Sequence, residues 1–100
     1  MIRQRTLRDA ALDAAFARFD ADNPHIWRFF EQYALRAIAA GRRHYSAEAI
    51  LQVIRWDLSV VTRSSDGFKV NNNHRKRYGL KFAAEHPEYA DFFETRERWE

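Results

Sequence analysis

The chain has 100 residues, 46% of them apolar and 15% aromatic, with three glycines, two prolines, no cysteine and a formal net charge of +3. That balance fits one domain with a single aromatic-rich core, and so little glycine and proline points to long regular elements, mainly helical. Disulfides and thiolate metal sites are excluded, no apolar run approaches the ~20 residues of a membrane span or the core of a signal peptide, and the chain reads as soluble and cytoplasmic.

The first periodic segment is TLRDAALDAAFARFD. Thr6 and Asp9 resemble a capping arrangement, and Leu12, Ala15, Phe16 and Phe19 share one stripe of a core helix over about residues 7 to 19. A linker, DADNP, follows. Asn23 is a good N-cap and Pro24 a good first helical residue, because its missing N–H would be unpaired there anyway. From Pro24 to Ala40, Ile26, Phe30, Tyr33 and Ala37 form one face with Trp27, Ala34 and Ile38 beside it, and Gly41 ends the helix. Ser46 then caps a third helix, with Glu48 in its first turn, where the helix dipole favours an acid. Glu48, Gln52, Arg55 and Ser59 make one narrow polar stripe and nearly everything else is apolar, so this helix reads as central. Asp57 projects onto the apolar side and must be paired there. It is either a catalytic or ligand carboxylate, or a structural partner for an arginine or for backbone donors at a neighbouring helix start.

Two β-prone runs, Val60 to Arg63 and Phe68 to Val70, flank Ser-Ser-Asp-Gly, which predicts a small hairpin or extended loop. Val60 and Val61 are claimed by the helical periodicity as well. Asn71, Asn72 and Asn73 then suit a turn into a helix start. In the helix that follows, Tyr78 and Phe82 lie on one face with Gly79 and Ala83 beside them, and His74, Arg77 and Lys81 lie on another. Cations in a first turn oppose the helix dipole, a conflict that disappears if the helix start faces an external anion. Charge along the chain is polarised in the same sense. Residues 42 to 81 hold nine Lys and Arg against three acids, whereas residues 82 to 100 hold six acids against two Arg. Either the basic middle is a footprint for a polyanion or the acidic end folds back and neutralises it. Pro87 ends the last long helix, Phe92 and Phe93 lock the end onto the core, and Trp99 either docks or joins a self-association contact.

The predicted architecture is one mainly α domain of four to five helices with a minor β-hairpin or extended segment, compatible with a helix-turn-helix or winged-helix arrangement, although the roughly twelve-residue connection exceeds the usual three or four. On that scheme Asn72, Asn73, His74, Arg75, Lys76 and Arg77 read or position nucleic acid, most simply double-stranded DNA. Arg42, Arg43, Lys69 and Lys81 add phosphate contacts. The alternative is a protein-interaction module or inhibitor that uses the same patch, or the acidic end, against another protein, with a homodimer open. A third reading is a small phosphodiesterase whose acid–base set is His44 with His74 or Asp57. No cofactor or metal is expected, because His25, His44, His74 and His86 lack metal-type spacing; His25 and His86 suit solvated or capping positions.

The segments NPHIWRFF, YSAEAILQVIRWD and FKVNNNHRKRYGLKFAAEHPEYADFFETR, spanning about residues 23 to 96, resemble a group of small bacteriophage and prophage proteins with an NNNHRxRY-type segment. The resemblance implies a phage-related intracellular accessory protein and brings no catalytic residue with it.

Overall fold

The computed structural model describes residues 7–61 and 72–93, and over them the chain is mainly α. The helices are α1 (Leu7–Asp22), α2 (Pro24–Ala39), α3 (Ala47–Trp56) and α4 (Asn72–Glu85), with a π turn (Asp57–Val61) continuing α3 and a 3-10 turn (Pro87–Tyr89) after α4.

Local signals explain most of the helix boundaries. Gly41 adopts φ +97°, and the Gly41 and Arg42 amides donate to the carbonyls of Ile38 and Ala37 at 3.0 and 3.1 Å. That is the Schellman arrangement, in which a glycine takes the left-handed turn. Ser46 caps α3 as expected, its Oγ accepting from the Ala49 amide at 3.1 Å. Asn23 stands at the N-cap of α2 as expected, its carbonyl accepting from the Ile26 amide at 3.0 Å, but its side chain acts elsewhere. Its side chain makes no cap bond to α2, and instead its Nδ2 donates to the Phe19 carbonyl at 3.0 Å, beside its own backbone amide at 2.9 Å. Asn23 therefore closes α1, which runs to Asp22 rather than to residue 19, and the expected DADNP linker shrinks to one residue. Pro24 still opens α2.

The β reading at Val60 and Val61 is also corrected. Both residues belong to the π turn, and no strand occurs among the described residues. Helical periodicity won because the apolar spacing of α3 continues through Leu58 and Val60, so the chain keeps bonding to its own preceding turn. The remainder of the predicted hairpin, and the connection on which the helix-turn-helix reading depends, lie outside the described residues.

The core sits between α2, α3 and α4. Ile26, Trp27, Phe30 and Ala34 of α2 meet Ile50, Leu51 and Ile54 of α3, Leu58 of the π turn, and Tyr78 and Phe82 of α4. Phe92 and Phe93 close the bottom, as the sequence predicts, both 4% exposed. Rings pack in chains: Trp27 lies parallel to Tyr78, Phe30 stacks on Tyr78, and Phe93 meets both Phe30 and Phe82. Each such fully buried ring contributes on the order of 2 kcal/mol from area alone. The Tyr45 amide donates to the Phe92 carbonyl at 3.2 Å and ties the α2–α3 connection to the end of the described chain.

α1 is held otherwise. Asp9 is its one buried residue, while Phe16 and Phe19 are half-buried against the core and Leu7 is almost fully exposed. No helix among the described residues is long and apolar enough to cross a membrane.

Candidate functional site

The cations of α4 do form a stripe, but it faces protein. Arg77 Nε lies 2.6 Å from Asp13 Oδ1, and Lys81 Nζ lies 2.5 Å from Asp20 Oδ2, so α1 supplies both carboxylates. Lys81 also sits 4.6 Å above the ring of Trp27. Arg75 pairs through Nη1 with Glu48 in the first turn of α3. His74 is half-buried, stacked on Phe19 at 4.8 Å and edge-on to Phe16 at 5.7 Å. Burial, and secondarily the charge of Arg77, push its pKa below the ordinary histidine value, so the ring is neutral at pH 7.

The expected wet, cationic stripe is therefore largely a seam between helices. Among the described residues, Asp13, Asp20 and Glu48 supply the carboxylates that neutralise it. Exposure divides the cations into two groups. The Arg77 side chain is 11% exposed and the Lys81–Asp20 pair is sheltered, whereas Arg75 and Glu48 are 37% and 48% exposed. An exposed pair contributes little and exchanges readily for another anion; a sheltered one does not. Lys76 is half-buried, Lys69 lies outside the described residues, and only the backbone of Asn72 and Asn73 is described, at the start of α4.

Arg42 and Arg43 are both exposed, and no carboxylate pairs with them among the described residues. They edge a shallow, open cleft of about 340 Å³ whose other wall includes Glu88, Tyr89 and Asp91. Next to them, His44 Nδ1 lies 3.0 Å from the Asp91 carbonyl oxygen.

Two acid–base expectations also change. Asp57 finds its partner in Tyr33, whose hydroxyl donates to Oδ2, so a phenol satisfies the carboxylate in place of an arginine or helix-start amides. That bond first, then burial, then the Asp57 charge hold the Tyr33 hydroxyl pKa above its usual value. His86 is half-buried rather than solvated, and it stands at the N-cap of the 3-10 turn without a side-chain cap bond. It stacks on Phe82 at 4.6 Å and sets Nε2 2.6 Å from Glu31 Oε2. His44, His74 and Asp57 thus take their contacts from three different parts of the fold. No group of three or more metal-type ligands forms among the described residues.

One surface escaped the sequence reading. The sequence places Val53, Trp56 and Val60 in a central helix, yet they are 42%, 61% and 48% exposed. With the half-buried Ala49 they are spaced four, three and four residues apart, which sets them along one side of α3 and the π turn. That spacing was the signal in the sequence, hidden by an apolar arc wider than its neighbours cover. Comparison of the chain with family models, curated proteins and solved structures finds no match.

Proposed function

We propose that the chain is a non-enzymatic accessory module that acts through protein contact, and that α3 is its interaction face, occupied by a second copy of the same chain. The observation that supports this is the exposed row Val53, Trp56 and Val60, with Trp56 at 61% exposure. A tryptophan displayed between two valines is the usual anchor of a protein interface, and monomeric surfaces seldom keep such a row in water.

Self-pairing follows from size and charge. About a two-fold axis between Val53 and Trp56, two antiparallel copies of α3 set Trp56 of one against Val53 of the other, and Val60 against the small Ala49. Large side chains then meet smaller ones at each level. Gln52 and Ser59, which flank the row on one side, are uncharged, and Asp57 on the other side is half-buried and engaged by the Tyr33 hydroxyl, so two identical faces meet with little repulsion. The phage-group resemblance fits a small accessory protein of this kind.

Sedimentation velocity over a dilution series tests the proposal. The expected result is a mass twice that of the 11.9 kDa chain at high concentration, falling on dilution, with Trp56→Glu monomeric and unchanged in helicity. A chain that stays monomeric at about 1 mM, where even weak association is populated, overturns it and leaves a host or phage protein as the occupant to seek.

A second reading, nucleic-acid binding, is favoured by Arg42 and Arg43, exposed and without a carboxylate partner among the described residues, together with the exchangeable Arg75. Binding to random duplex DNA that weakens steeply with salt, and weakens in Arg42→Ala/Arg43→Ala, supports it; no binding at low salt ends it.

A further inference from the structure

The seam between α1 and the rest of the molecule combines two features. Its charges are matched closely, Asp13 to Arg77 and Asp20 to Lys81. Its buried polar atoms are matched poorly. Among the described residues the buried side-chain atoms without a hydrogen-bond partner are Asp20 Oδ1, His74 Nδ1 and the Tyr78 hydroxyl, and all three lie along this seam. Tyr78 is fully buried, edge-on to Phe16 at 4.8 Å and near enough to Asp20 for that charge to raise its pKa further. A buried hydroxyl or imidazole left unpaired works against the contact that buries it.

We propose that the surface formed by Trp27, His74, Arg77, Tyr78 and Lys81 is a binding site for an acidic, aromatic helix of a partner protein, and that α1 is its tethered occupant. The seat specifies its ligand: carboxylates seven residues apart for Arg77 and Lys81, rings between them for His74 and Tyr78, and an acceptor for the Tyr78 hydroxyl that α1 does not provide. A second copy's α1 has the right chemistry but not the reach. Only Asn23 joins α1 to α2, and two hydrogen bonds to the Phe19 carbonyl hold it. One residue spans about 3.5 Å, too little to carry α1 across to another molecule. Nucleic acid is disfavoured because both cations, Arg77 and Lys81, are sheltered and the groups between them are buried rings.

The test uses the full chain and a fluorescein-labelled peptide of residues 7–22 as probe, read by anisotropy. Wild-type chain is expected to bind it weakly, because the tethered α1 competes at high effective concentration. Asp13→Asn/Asp20→Asn, which loosens the tethered helix, is expected to bind the peptide about tenfold more tightly, and Lys81→Ala in that background to lose the gain. Hydrogen exchange on the wild-type chain provides a second readout that needs no variant. The α1 amides are expected to exchange through a local opening, well before those of α2 and α4, and to be slowed by saturating peptide. Peptide affinity unchanged in the double variant, or α1 amides that exchange only with global unfolding, overturns the proposal. So does labelled single-stranded DNA binding the double variant where the peptide does not, or exchange of α1 between labelled copies of the Trp56→Glu chain.

Discussion

Arg77 Nε and Asp13 Oδ1, 64 positions apart in sequence, lie 2.6 Å from one another. The arginine is nearly buried and the aspartate half-exposed. This pair and Lys81–Asp20 carry much of the attachment of α1, whose own apolar contribution is two half-buried phenylalanines. Removing Asp13 leaves a sheltered guanidinium short of a partner, so Asp13→Ala is expected to cost about 1–3 kcal/mol. A double-mutant cycle with Arg77→Ala, followed by urea unfolding, should give a coupling of about 1 kcal/mol or more. Additive single losses would show that the two side chains merely lie near each other.

What was legible in the sequence was what is decided locally. Gly41 and Ser46 act within four residues of themselves, and the apolar face of α2 repeats often enough to survive any packing. The stripe of His74, Arg77 and Lys81 was also placed on one side of its helix correctly. Its surroundings were not, because the carboxylates that meet it come from a helix at the other end of the chain. Asp13, Phe16 and Asp20 on α1, spaced three and four residues apart, match the spacing of His74, Arg77 and Lys81, but only a tertiary contact says that the two rows meet. The width of the α3 apolar arc failed for the reverse reason. Periodicity orders Val53, Trp56 and Val60 along the helix and cannot say how far a neighbour reaches around it.

Acid should loosen the α1 seam through His74. Its pKa in the fold is lowered by burial and then by Arg77, so the neutral ring is the form the fold favours. The stabilisation from keeping it neutral is present above the ordinary value of 6.5 and is lost as pH falls through the lower folded value. Asp13 and Asp20 on α1, and Arg77, Tyr78 and Lys81 on α4, line the same seam, so the histidine must be isolated by difference. His74→Phe keeps a ring against Phe16 and Phe19 and removes the buried Nδ1. Melting temperature against pH is expected to fall below about pH 6.5 in wild type and to flatten in the variant. Parallel curves would assign the acid sensitivity to the carboxylates.

Alkali should act at the Tyr33–Asp57 pair. The Tyr33 hydroxyl is held above its ordinary value of 10.0, chiefly because it donates to Asp57. Its protonated form is the stabilising one, and that contribution is complete below pH 10 and disappears as pH rises through the folded value. Tyr33→Phe leaves Asp57 half-buried without that donor and is expected to cost about 1 kcal/mol at neutral pH. The same variant should lose less stability than wild type between neutral pH and the alkaline range, as followed by circular dichroism. Tyr78, also raised by burial, titrates in both proteins and cancels in the comparison.

Gly41 separates backbone strain from packing. A Cβ built there meets nothing within 4 Å, so Gly41→Ala is opposed by the φ of +97° alone. The expected loss is about 1 kcal/mol, a fall of roughly 4–8 °C in melting temperature for a domain of this size. Gly41→Asn, which tolerates the left-handed region better, should recover part of it. An equal loss in both variants would mean that the end of α2 rearranges instead of straining.

Trp56 offers an optical measure of the α3 face that is independent of mass. Trp27 is buried under Lys81 and against Tyr78, whereas Trp56 is open to solvent in the isolated chain. At low concentration, acrylamide should therefore quench a component of the fluorescence that is absent from Trp56→Phe. If α3 pairs with a second copy, that component becomes shielded and blue-shifted as concentration rises, because the indole moves against Val53 and Ala49 of the other molecule. Val53→Glu should keep it quenchable at every concentration, since a carboxylate facing Trp56 across the pair cannot be desolvated without cost. Quenching that does not change with concentration in wild type would show that Trp56 stays exposed and that the face waits for a different protein.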